Sequence, residues 1–301
     1  MIEKATISGI VKQAFNEEVI KIHTIYAGGM NFVYEAALSS RTIMLKVYTS
    51  VRSHIAAAEF AMLKAGKKQG VLMPEPISFG KIAGVGYLVY EKIEGVDLNF
   101  GLLTADEQII FCADLVHHLK LLTKISFDHF GNMTEEKNTC PDWQTFLVKN
   151  IQPGLAALRA GKYIPELSLD QLTEFMLDHP LLKKPCSPGL VWGDLKSENI
   201  LVKDNRIACL LDFESCFSGD PLLSLGYLFA REGDSKFYQT IIAEFRHYIS
   251  FSDEDIYFYT IFRLLRISKY LDKPLPTGKI REPVLSYFPG IQKTLNLFDD
   301  K

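Results

Sequence analysis

Short apolar runs separated by turn residues fill the first third of the chain, a pattern typical of β-strands. Five such runs occur, at residues 22–26, 32–36, 41–48, 77–80 and 86–91. An Ala-rich segment from His54 to Ala65 lies between the third and fourth runs and predicts a helix, with Gly66 as its C-cap. We therefore expect a small unit of five strands and one helix at the start of the chain.

Beyond Gly95 the pattern becomes mostly helical. Capping-box sequences predict the starts of three helices, at Thr104–Glu107, Ser168–Gln171 and Ser252–Asp255. Asp220 and Pro221 are typical of the N-cap and first residue of another helix. Two short apolar runs, at residues 200–202 and 207–211, predict a small β-hairpin among these helices.

The change from strands to helices falls near residues 91–95, where a strand gives way to a connector that contains Gly95. The pattern therefore predicts an α+β protein of two lobes. Residues 1–93 would form a small lobe around an antiparallel sheet with one helix, and residues 94–301 a mostly helical lobe. A chain of 301 residues is long enough to bury a sizeable core.

Composition and charge narrow the class of protein. The chain is 48% hydrophobic and has a formal net charge of −3, without the basic excess that is typical of nucleic-acid-binding proteins. Its five cysteines form no Cys-x-x-Cys pair, which favours a reducing cytoplasm over a disulfide framework or a zinc site. No apolar run approaches the ~20 residues that span a bilayer, and residues 1–20 lack the apolar core of a signal peptide. We expect a cytoplasmic protein without nucleic-acid or membrane partners.

The most informative part of the chain is residues 191–202 together with the following apolar run and its acidic end. Asp194 and Asn199 have the Asp-x-x-x-x-Asn spacing of kinase catalytic loops, and Asp212 follows the predicted hairpin. Phosphoryl transfer needs a carboxylate beside the acceptor hydroxyl and oxygen ligands for the Mg²⁺ that bridges the nucleotide phosphates. We interpret Asp194 as the base, and Asn199 and Asp212 as the metal ligands. The alternative for each is a structural role as a cap, a turn residue or a strand end.

Candidate nucleotide-binding residues lie in the strand-rich lobe. Lys46 interrupts an apolar strand, and Glu59 is the only acidic residue of the helix that follows it. In kinases such a lysine binds the α- and β-phosphates and is held by a helix glutamate. Gly28, Gly29 and Asn31 lie between the first two strands, where a turn brings backbone N–H groups close to phosphates. A hairpin Gly-Gly is also a common structural turn.

Further candidates are assigned by position alone. Backbone groups of Glu91 and Ile93, in the connection between the lobes, are expected to bind adenine, and Lys196, two residues beyond the base, would reach the transferred phosphate. The candidates for binding the acceptor are acidic and aromatic residues of the helical lobe: Asp142, Trp143, Glu214 and Asp220. Acidic side chains suit a cationic acceptor, but they also cap helices, and Glu214 is alternatively a further carboxylate of the metal site.

Three segments together resemble a known family. Trp-Gly-Asp-Leu-Lys-Ser-Glu-Asn at 192–199, Leu-Leu-Asp-Phe-Glu at 210–214 and Gly-Asp-Pro at 219–221 are similar to the aminoglycoside phosphotransferase and choline kinase-like family. The resemblance implies a bilobal protein-kinase-like fold, ATP (GTP in some members) with Mg²⁺, and phosphorylation of a hydroxyl on a small molecule. It implies the roles given above for the catalytic and metal-binding residues. Antibiotic, sugar, amino-alcohol and fructosamine-like acceptors all remain open.

Two positions depart from the family pattern. Trp192 stands where the family usually has a histidine, directly before Gly-Asp. Ser224 stands where an acidic residue usually braces the catalytic loop, four residues beyond Asp220. We expect the first change to alter the local packing and the second to affect the brace, with the metal site kept.

Two other classes of protein share part of this pattern. Asp-Leu-Lys-Ser-Glu-Asn also resembles the catalytic loop of protein kinases, but Gly219 follows Asp212 by only seven residues and leaves no room for an ordinary activation loop. A non-catalytic nucleotide-binding pseudokinase is the other alternative, although Asp194, Asn199 and Lys46 are all present. A small-molecule kinase is the favoured interpretation.

Overall fold

The computed structural model describes residues 2–27, 30–134, 139–268, 270 and 289–299. Within these residues the chain forms twelve strands and nine α-helices. An antiparallel sheet lies in the N-terminal region and most of the helices lie in the C-terminal region. This arrangement confirms the α+β class predicted from the sequence.

The N-terminal region consists of helix α1 (Lys4–Phe15), five strands and helix α2 (Ile55–Lys68). The strands are β1 (Lys21–Ala27), β2 (Asn31–Ala37), β3 (Thr42–Tyr48), β4 (Pro76–Ile82) and β5 (Val85–Glu91). They form one antiparallel sheet in the order β1-β2-β3-β5-β4, with α2 in the connection from β3 to β4. Strand β3 is therefore central, and five of its seven residues are buried.

Helix α1 adds a second helix to a region for which the sequence pattern predicted one. Ile7, Ile10 and Val11 recur at helical spacing and are buried in one cluster with side chains of the sheet. The helix ends at Phe15, and the C-cap residue Asn16 has the left-handed conformation (φ 57°) that is common after a helix. The signal was present in the sequence, in Ile7, Ile10, Val11 and Phe15, but it covers one short helix only.

Gly66 does not cap α2, as the sequence had predicted, because the helix continues to Lys68. Gly66 is buried, and a Cβ atom there would lie 2.2 Å from Sδ of Met73. The glycine is therefore required for close packing of Met73 against the helix.

The C-terminal region contains the remaining elements. Its helices are α3 (Ala105–Thr123), α4 (Trp143–Gly161), α5 (Glu166–Asp178), α6 (Leu222–Glu232), α7 (Lys236–Arg246), α8 (Asp253–Ser268) and α9 (Pro289–Asp299). Its strands are β6 (Val96–Asp97), β7 (Phe130–Asn132), β8 (Thr139–Cys140), β9 (Gly189–Trp192), β10 (Ile200–Lys203), β11 (Arg206–Leu210) and β12 (Cys216–Gly219). They form two small sheets, in the orders β11-β10-β6 and β8-β7-β12-β9.

Two of the four predicted helix starts and the hairpin are confirmed. A helix does begin near Asp220, but it starts at Leu222, with Pro221 and not Asp220 in the N-cap position. Thr104 and Glu107 form a complete capping box at the start of α3. Ser252 and Asp255 exchange backbone-to-side-chain hydrogen bonds at the start of α8. The prediction at Ser168 is wrong, because α5 begins after Pro165 and Ser168 lies inside it. Strands β10 and β11 pair as the predicted hairpin.

Close packing of α6 on α8 fixes the position of the latter helix. A Cβ atom at Gly226 would lie 2.3 Å from Cβ of Tyr259, so only glycine allows the helices to approach this closely. The hydroxyl of Thr260 on α8 donates to the backbone oxygen of Gly226 at 3.1 Å. Helix α8 is thereby held against the segment that follows β12.

Candidate active site

The centre of the candidate site is a buried ion pair between the sheet and α2. Lys46 on β3 lies 3.0 Å (Nζ to Oε2) from Glu59 on α2, and the two residues are only 4% and 2% exposed. The hydroxyl of Tyr48 also donates a hydrogen bond to Glu59. The predicted pairing of Lys46 with Glu59 is confirmed.

The segment after β11 surrounds the same lysine. Nζ of Lys46 lies 2.7 Å from Oδ1 of Asp212 and 3.2 Å from Oε2 of Glu214. The backbone N–H of Phe213 donates to Oε1 of Glu59 at 3.0 Å. Oxygen atoms of Glu59, Asp212 and Glu214 all lie within 4.8 Å of one another. The N-terminal sheet and the segment after β11 thus meet around one ammonium group.

The charges in this cluster leave an excess of negative charge. Burial lowers the pKa of Lys46, but attraction to Asp212, Glu214 and Glu59 outweighs burial and raises it well above its ordinary value. Burial also raises the pKa of Asp212 to about 7, and repulsion from Glu214 and Glu59 adds to this effect while Lys46 opposes it. A bound cation relieves such a cost, because it compensates carboxylates that are expensive to bury together.

Asn199 supplies the second predicted ligand. Its Nδ2 donates to the backbone oxygen (2.8 Å) and to Oδ2 (2.9 Å) of Asp194, which leaves the amide oxygen for other partners. The backbone N–H of Leu211 donates to the backbone oxygen of Asn199 at 2.8 Å. This bond connects Asn199 to the residue that precedes Asp212. A neutral amide oxygen together with a carboxylate is a donor set that suits Mg²⁺. The residues present therefore fit this ion.

Asp194 lies between two cations. Its Oδ2 is 2.9 Å from Nζ of Lys196, and its Oδ1 is 3.5 Å from Nη2 of Arg263 on α8. Burial alone would raise the pKa of Asp194, but Lys196 and Arg263 outweigh this effect and lower it. Asp194 therefore remains ionised at neutral pH.

Arg263 was not among the residues predicted from the sequence. It lies about fifty residues beyond Asp212, in a helix whose other residues from Ile256 to Leu265 are mostly apolar or aromatic. The only signal in the sequence is the presence of Arg263 and Arg266 in such a run. An arginine within an apolar helix must find a partner or reach solvent.

The two departures from the family pattern form one connected arrangement. Nε1 of Trp192 donates to the backbone oxygen of Asp212 at 3.1 Å, and its ring stacks on Phe213 with centroids 5.1 Å apart. The hydroxyl of Ser224 on α6 donates to the backbone oxygen of Trp192 at 2.7 Å. Asp212 itself has a left-handed backbone conformation, with φ 63°. The catalytic loop is therefore braced, but through the hydroxyl of Ser224 and not through a carboxylate. The indole of Trp192 extends this connection to Asp212.

The predicted role of Asp212 as a metal ligand implies that replacing Trp192 with Phe weakens Mg²⁺ binding about 10- to 100-fold, as is typical when a group that orients a metal ligand is lost. The ring still stacks, but the oxygen of Asp212 loses the donor that holds its strained backbone. Trp143, the only other tryptophan, is the matched control, because its Nε1 donates to the hydroxyl of Tyr259. Mg²⁺ titrations of nucleotide binding by both Phe variants provide the measurement. Equal Mg²⁺ affinity in the two variants would contradict the assignment.

The start of β2 contributes to the same cluster. Gly28 and Gly29 lie outside the described residues. Asn31 at the start of β2 donates from Nδ2 to Glu214, and Arg52 lies 3.1 Å (Nη2 to Oε1) from the same carboxylate. Buried polar atoms without a hydrogen-bond partner among the described residues include Oδ1 of Asn31 and Nε of Arg52. Such atoms are uncommon in a protein interior and are typical of a binding site for a polar ligand.

The predicted adenine-binding residues lie at the end of β5 and just beyond it. The backbone N–H of Glu91 already donates to the backbone oxygen of Glu75 at 3.0 Å. Ile93 lies between β5 and β6, outside the pairing of both strands. Ile93 is therefore the better placed of the two to offer a backbone N–H.

The structure gives the candidate acceptor-binding residues other partners. Asp142 caps α4 by accepting from the N–H of Thr145 at 2.6 Å. Nε1 of Trp143 donates to the hydroxyl of Tyr259, which in turn donates to Oδ2 of Asp220 at 2.9 Å. Trp143 and Asp220 are both buried. Burial and this chain of hydrogen bonds make Trp143 and Asp220 structural residues, whereas contact of the half-buried Asp142 with an acceptor stays a prediction.

Glu214 is also not free for an acceptor, because Lys46, Arg52 and Asn31 all contact its carboxylate. Burial raises the pKa of Glu214, but attraction to Lys46 and Arg52 outweighs burial and lowers it. The residue belongs to the charged cluster around Lys46, and its alternative role as a further carboxylate of the metal site stays a prediction. None of the helices in the described part of the chain is long and apolar enough to cross a membrane.

Solved structures with the same fold come from kinases that act on small molecules. A candidate fructosamine-3-kinase from Haemophilus somnus 129PT is 17% identical, with a TM-score of 0.70 over 98% of this chain and 97% of that one. A thermostable mutant of the aminoglycoside phosphotransferase APH(4)-Ia is 14% identical, with a TM-score of 0.69 over 97% of each chain. The fold is therefore the bilobal protein-kinase-like fold.

A third similar structure is the spectinomycin phosphotransferase APH(9)-Ia in complex with ADP and spectinomycin, at 14% identity, a TM-score of 0.65 and coverage of 99% of this chain and 98% of that one. A search of curated proteins gave no match. The model of the phosphotransferase enzyme family (APH) matches residues 23–255, which is more than half of the chain. The chain therefore belongs to the phosphotransferase enzyme family.

Proposed function

We propose that this enzyme transfers the γ-phosphate of ATP to a hydroxyl group of a small molecule, with Mg²⁺ as cofactor. The observation that carries the proposal is the meeting of Lys46, Asp212 and Asn199 beside Asp194. Phosphoryl transfer is catalysed mainly by positioning and charge stabilisation, and these residues offer the groups that both effects need. The family membership and the ATP-analogue complex of a similar structure, APH(4)-Ia with AMP-PNP and hygromycin B, support nucleotide as the phosphate donor.

Each residue then has a separate task. Lys46, fixed by Glu59, binds the nucleotide phosphates, and the backbone near Ile93 binds adenine. Asn199 and Asp212 would hold Mg²⁺, which neutralises charge on the phosphates when it is bound. Asp194 orients the acceptor hydroxyl and accepts its proton. A lowered pKa makes Asp194 a weak base, which suits a loose transition state in which the proton is given up late.

The remaining predicted residues fit the same proposal. Lys196, which lies 2.9 Å from Asp194, would contact the transferred phosphate. Residues 1–93 would bind mainly the nucleotide, and residues 94–301 would supply the catalytic loop and the acceptor site. A cytoplasmic location, where ATP is available, belongs to the proposal as well.

A small acceptor is favoured over a protein by the segment after Asp212. Strand β12 begins at Cys216 and α6 begins at Leu222, so the chain returns to regular structure within a few residues. A protein kinase needs a long activation loop at this point to bind its peptide substrate. A compact acceptor needs no such loop, so the short connection favours a small molecule.

Removal of the metal tests the enzyme proposal against a non-catalytic nucleotide-binding protein. We expect ADP release from ATP in the presence of a mixture of hydroxyl compounds to fall by at least about 10²-fold when EDTA replaces Mg²⁺, because several kcal/mol of charge stabilisation are lost. Adding Mg²⁺ back should restore the rate. Tight binding of Mg²⁺–ATP without any ADP release would instead indicate a pseudokinase.

A further inference from the structure

Arg263 lies on the far side of the catalytic carboxylate from the metal-binding residues. Oδ2 of Asp194 faces Asn199 and Lys196, each at 2.9 Å, whereas Oδ1 faces Nη2 of Arg263 at 3.5 Å. A hydroxyl group that approaches Asp194 from the side away from Asn199 therefore meets Arg263. Whatever the acceptor carries next to that hydroxyl lies against a guanidinium group.

The guanidinium is fixed in place by its neighbours on α6. Nη1 of Arg263 donates to the backbone oxygen of Tyr227 at 2.7 Å, and the group lies over the Tyr227 ring, 4.8 Å from its centroid. The side chain is only 14% exposed. A planar donor held this firmly loses little further entropy when it binds a ligand, which favours specific recognition of a carboxylate or phosphate.

More positive charge surrounds Arg263. Arg266 lies on the same face of α8, 3.3 Å (Nη1 to the hydroxyl oxygen) from Tyr227 and 4.5 Å from the centroid of the Phe217 ring. Arg231 on α6 pairs with Glu198 at 3.2 Å. Burial, followed by repulsion from Arg231 and Arg266, lowers the pKa of Arg263, while Asp194 opposes this. The described groups around the catalytic carboxylate thus form a surface with four cations, Lys196, Arg263, Arg266 and Arg231, of which Arg231 is paired with Glu198, while Glu232 accepts from Ser197 in the same loop.

Such a surface disfavours a polycationic acceptor. Like charges brought together across an interface cost several kcal/mol, so an ammonium group held against Arg263 and Lys196 would weaken binding. The acidic residues that would have offered compensation, Asp142 and Asp220, are engaged in capping and in the hydrogen bond to Tyr259.

We propose that the acceptor carries an anionic group, a carboxylate or a phosphate, which Arg263 binds while Asp194 orients the neighbouring hydroxyl. This inference rests on the proposed phosphotransferase function and assigns Arg263 as a residue that determines specificity for the acceptor. It excludes aminoglycosides as the preferred class. Carboxylate and phosphate share the geometry that a guanidinium fork recognises, and the experiment distinguishes them.

Four compounds with the same six-carbon polyol chain test the proposal: sorbitol, gluconate, sorbitol 1-phosphate and glucamine. They differ only in one terminal group, which is neutral, carboxylate, phosphate or amine. Binding to the protein saturated with Mg²⁺–AMP-PNP is measured by calorimetry, and turnover with Mg²⁺–ATP by ADP release. We expect at least one anionic compound to bind about 10- to 100-fold more tightly than sorbitol, the gain typical of a hydrogen bond between charged groups, and glucamine more weakly.

Variants of Arg263 separate its charge from its packing. Arg263→Gln should remove the preference for the anionic compound, Arg263→Lys should keep part of it, and both should bind Mg²⁺–AMP-PNP as the parent does. Arg159→Gln is the matched control, since Arg159 is a half-exposed arginine that pairs with Glu166 and Asp170. It should behave as the parent.

Three results would overturn the proposal. They are tighter binding of glucamine than of either anion, an anion preference that survives in Arg263→Gln, and no binding of either anion by protein that binds Mg²⁺–AMP-PNP. Failure to bind Mg²⁺–AMP-PNP at all would overturn the proposed function itself, so the two failures are distinguishable.

Discussion

Replacing Asp194 with Asn is expected to lower kcat by about 10²–10⁴-fold, the range typical for loss of a general base. Asparagine has nearly the same shape as aspartate and can still accept hydrogen bonds from Lys196 and Asn199. The loop should therefore fold and bind Mg²⁺–ATP, whereas the group that accepts the proton of the acceptor is gone. Rates of ADP release and calorimetric binding of Mg²⁺–ATP to the same variant provide the measurement.

A matched control is available nearby. Asp204 is an exposed aspartate in the turn of the β10–β11 hairpin, so Asp204→Asn changes the net charge by the same amount without touching the site. Its kcat should equal that of the parent. Full activity of Asp194→Asn would show that Asp194 is not the base.

Replacing Asp212 with Asn is expected to reduce Mg²⁺-dependent turnover by at least about 10²-fold, because a ligand that holds the metal against the phosphates loses its charge. Unlike a base variant, it should also need far more Mg²⁺ to reach half of its maximal rate. Asparagine tolerates the left-handed backbone found at this position (φ 63°), so the change tests the carboxylate and not the fold. Rates measured across a Mg²⁺ titration separate the two effects.

The stability of the same variant provides an independent check. Burial beside Glu214 and Glu59 raises the pKa of Asp212 to about 7, above that of an unfolded aspartate. Ionisation of this carboxyl therefore opposes folding, and the cost is fully present above pH 7 and absent below about pH 4. Without metal at pH 8, Asp212→Asn should melt no lower than the parent. A large fall in melting temperature would mean that Asp212 serves mainly to hold Lys46 in place.

The parts of the site that could be predicted from the sequence are those whose chemistry is encoded by spacing. Asp194 and Asn199 lie in one loop at a fixed separation, and Lys46 is conspicuous because it interrupts an apolar strand. Glu59 was found because no other acidic residue of α2 could pair with it. The contact between Lys46 and Glu59 confirms the predicted pairing, and the contact between Lys46 and Asp212 brings the segment after β11 to the same lysine.

The parts that could not be predicted depend on contacts between distant elements. Trp143 and Asp220 resembled acceptor-binding residues because nothing in the sequence reveals that Tyr259 connects them. Arg263 was missed for the same reason, since its distance from Asp194 follows from the close packing of α8 on α6 at Gly226. Spacing along the chain carries no information about such contacts.

The departures from the family pattern show how packing can replace one residue type with another. An acidic brace accepts hydrogen bonds, whereas Ser224 donates one to the backbone oxygen of Trp192. The indole N–H of Trp192 then donates to the backbone oxygen of Asp212, and stacking of the indole ring on Phe213 holds the ring in position for this hydrogen bond. The sequence identified these two positions as unusual, and the structure shows that they act together.

The most direct test of the central claim is to follow the labelled γ-phosphate of ATP. The protein is incubated with γ-labelled ATP, Mg²⁺ and a mixture of small hydroxyl compounds together with a mixture of unfolded polypeptides, and the labelled products are separated by mass. We predict label on a small molecule, none on polypeptide, and loss of the labelled product in Asp194→Asn. Label on polypeptide alone, or equal labelling by the parent and Asp194→Asn, would contradict the account.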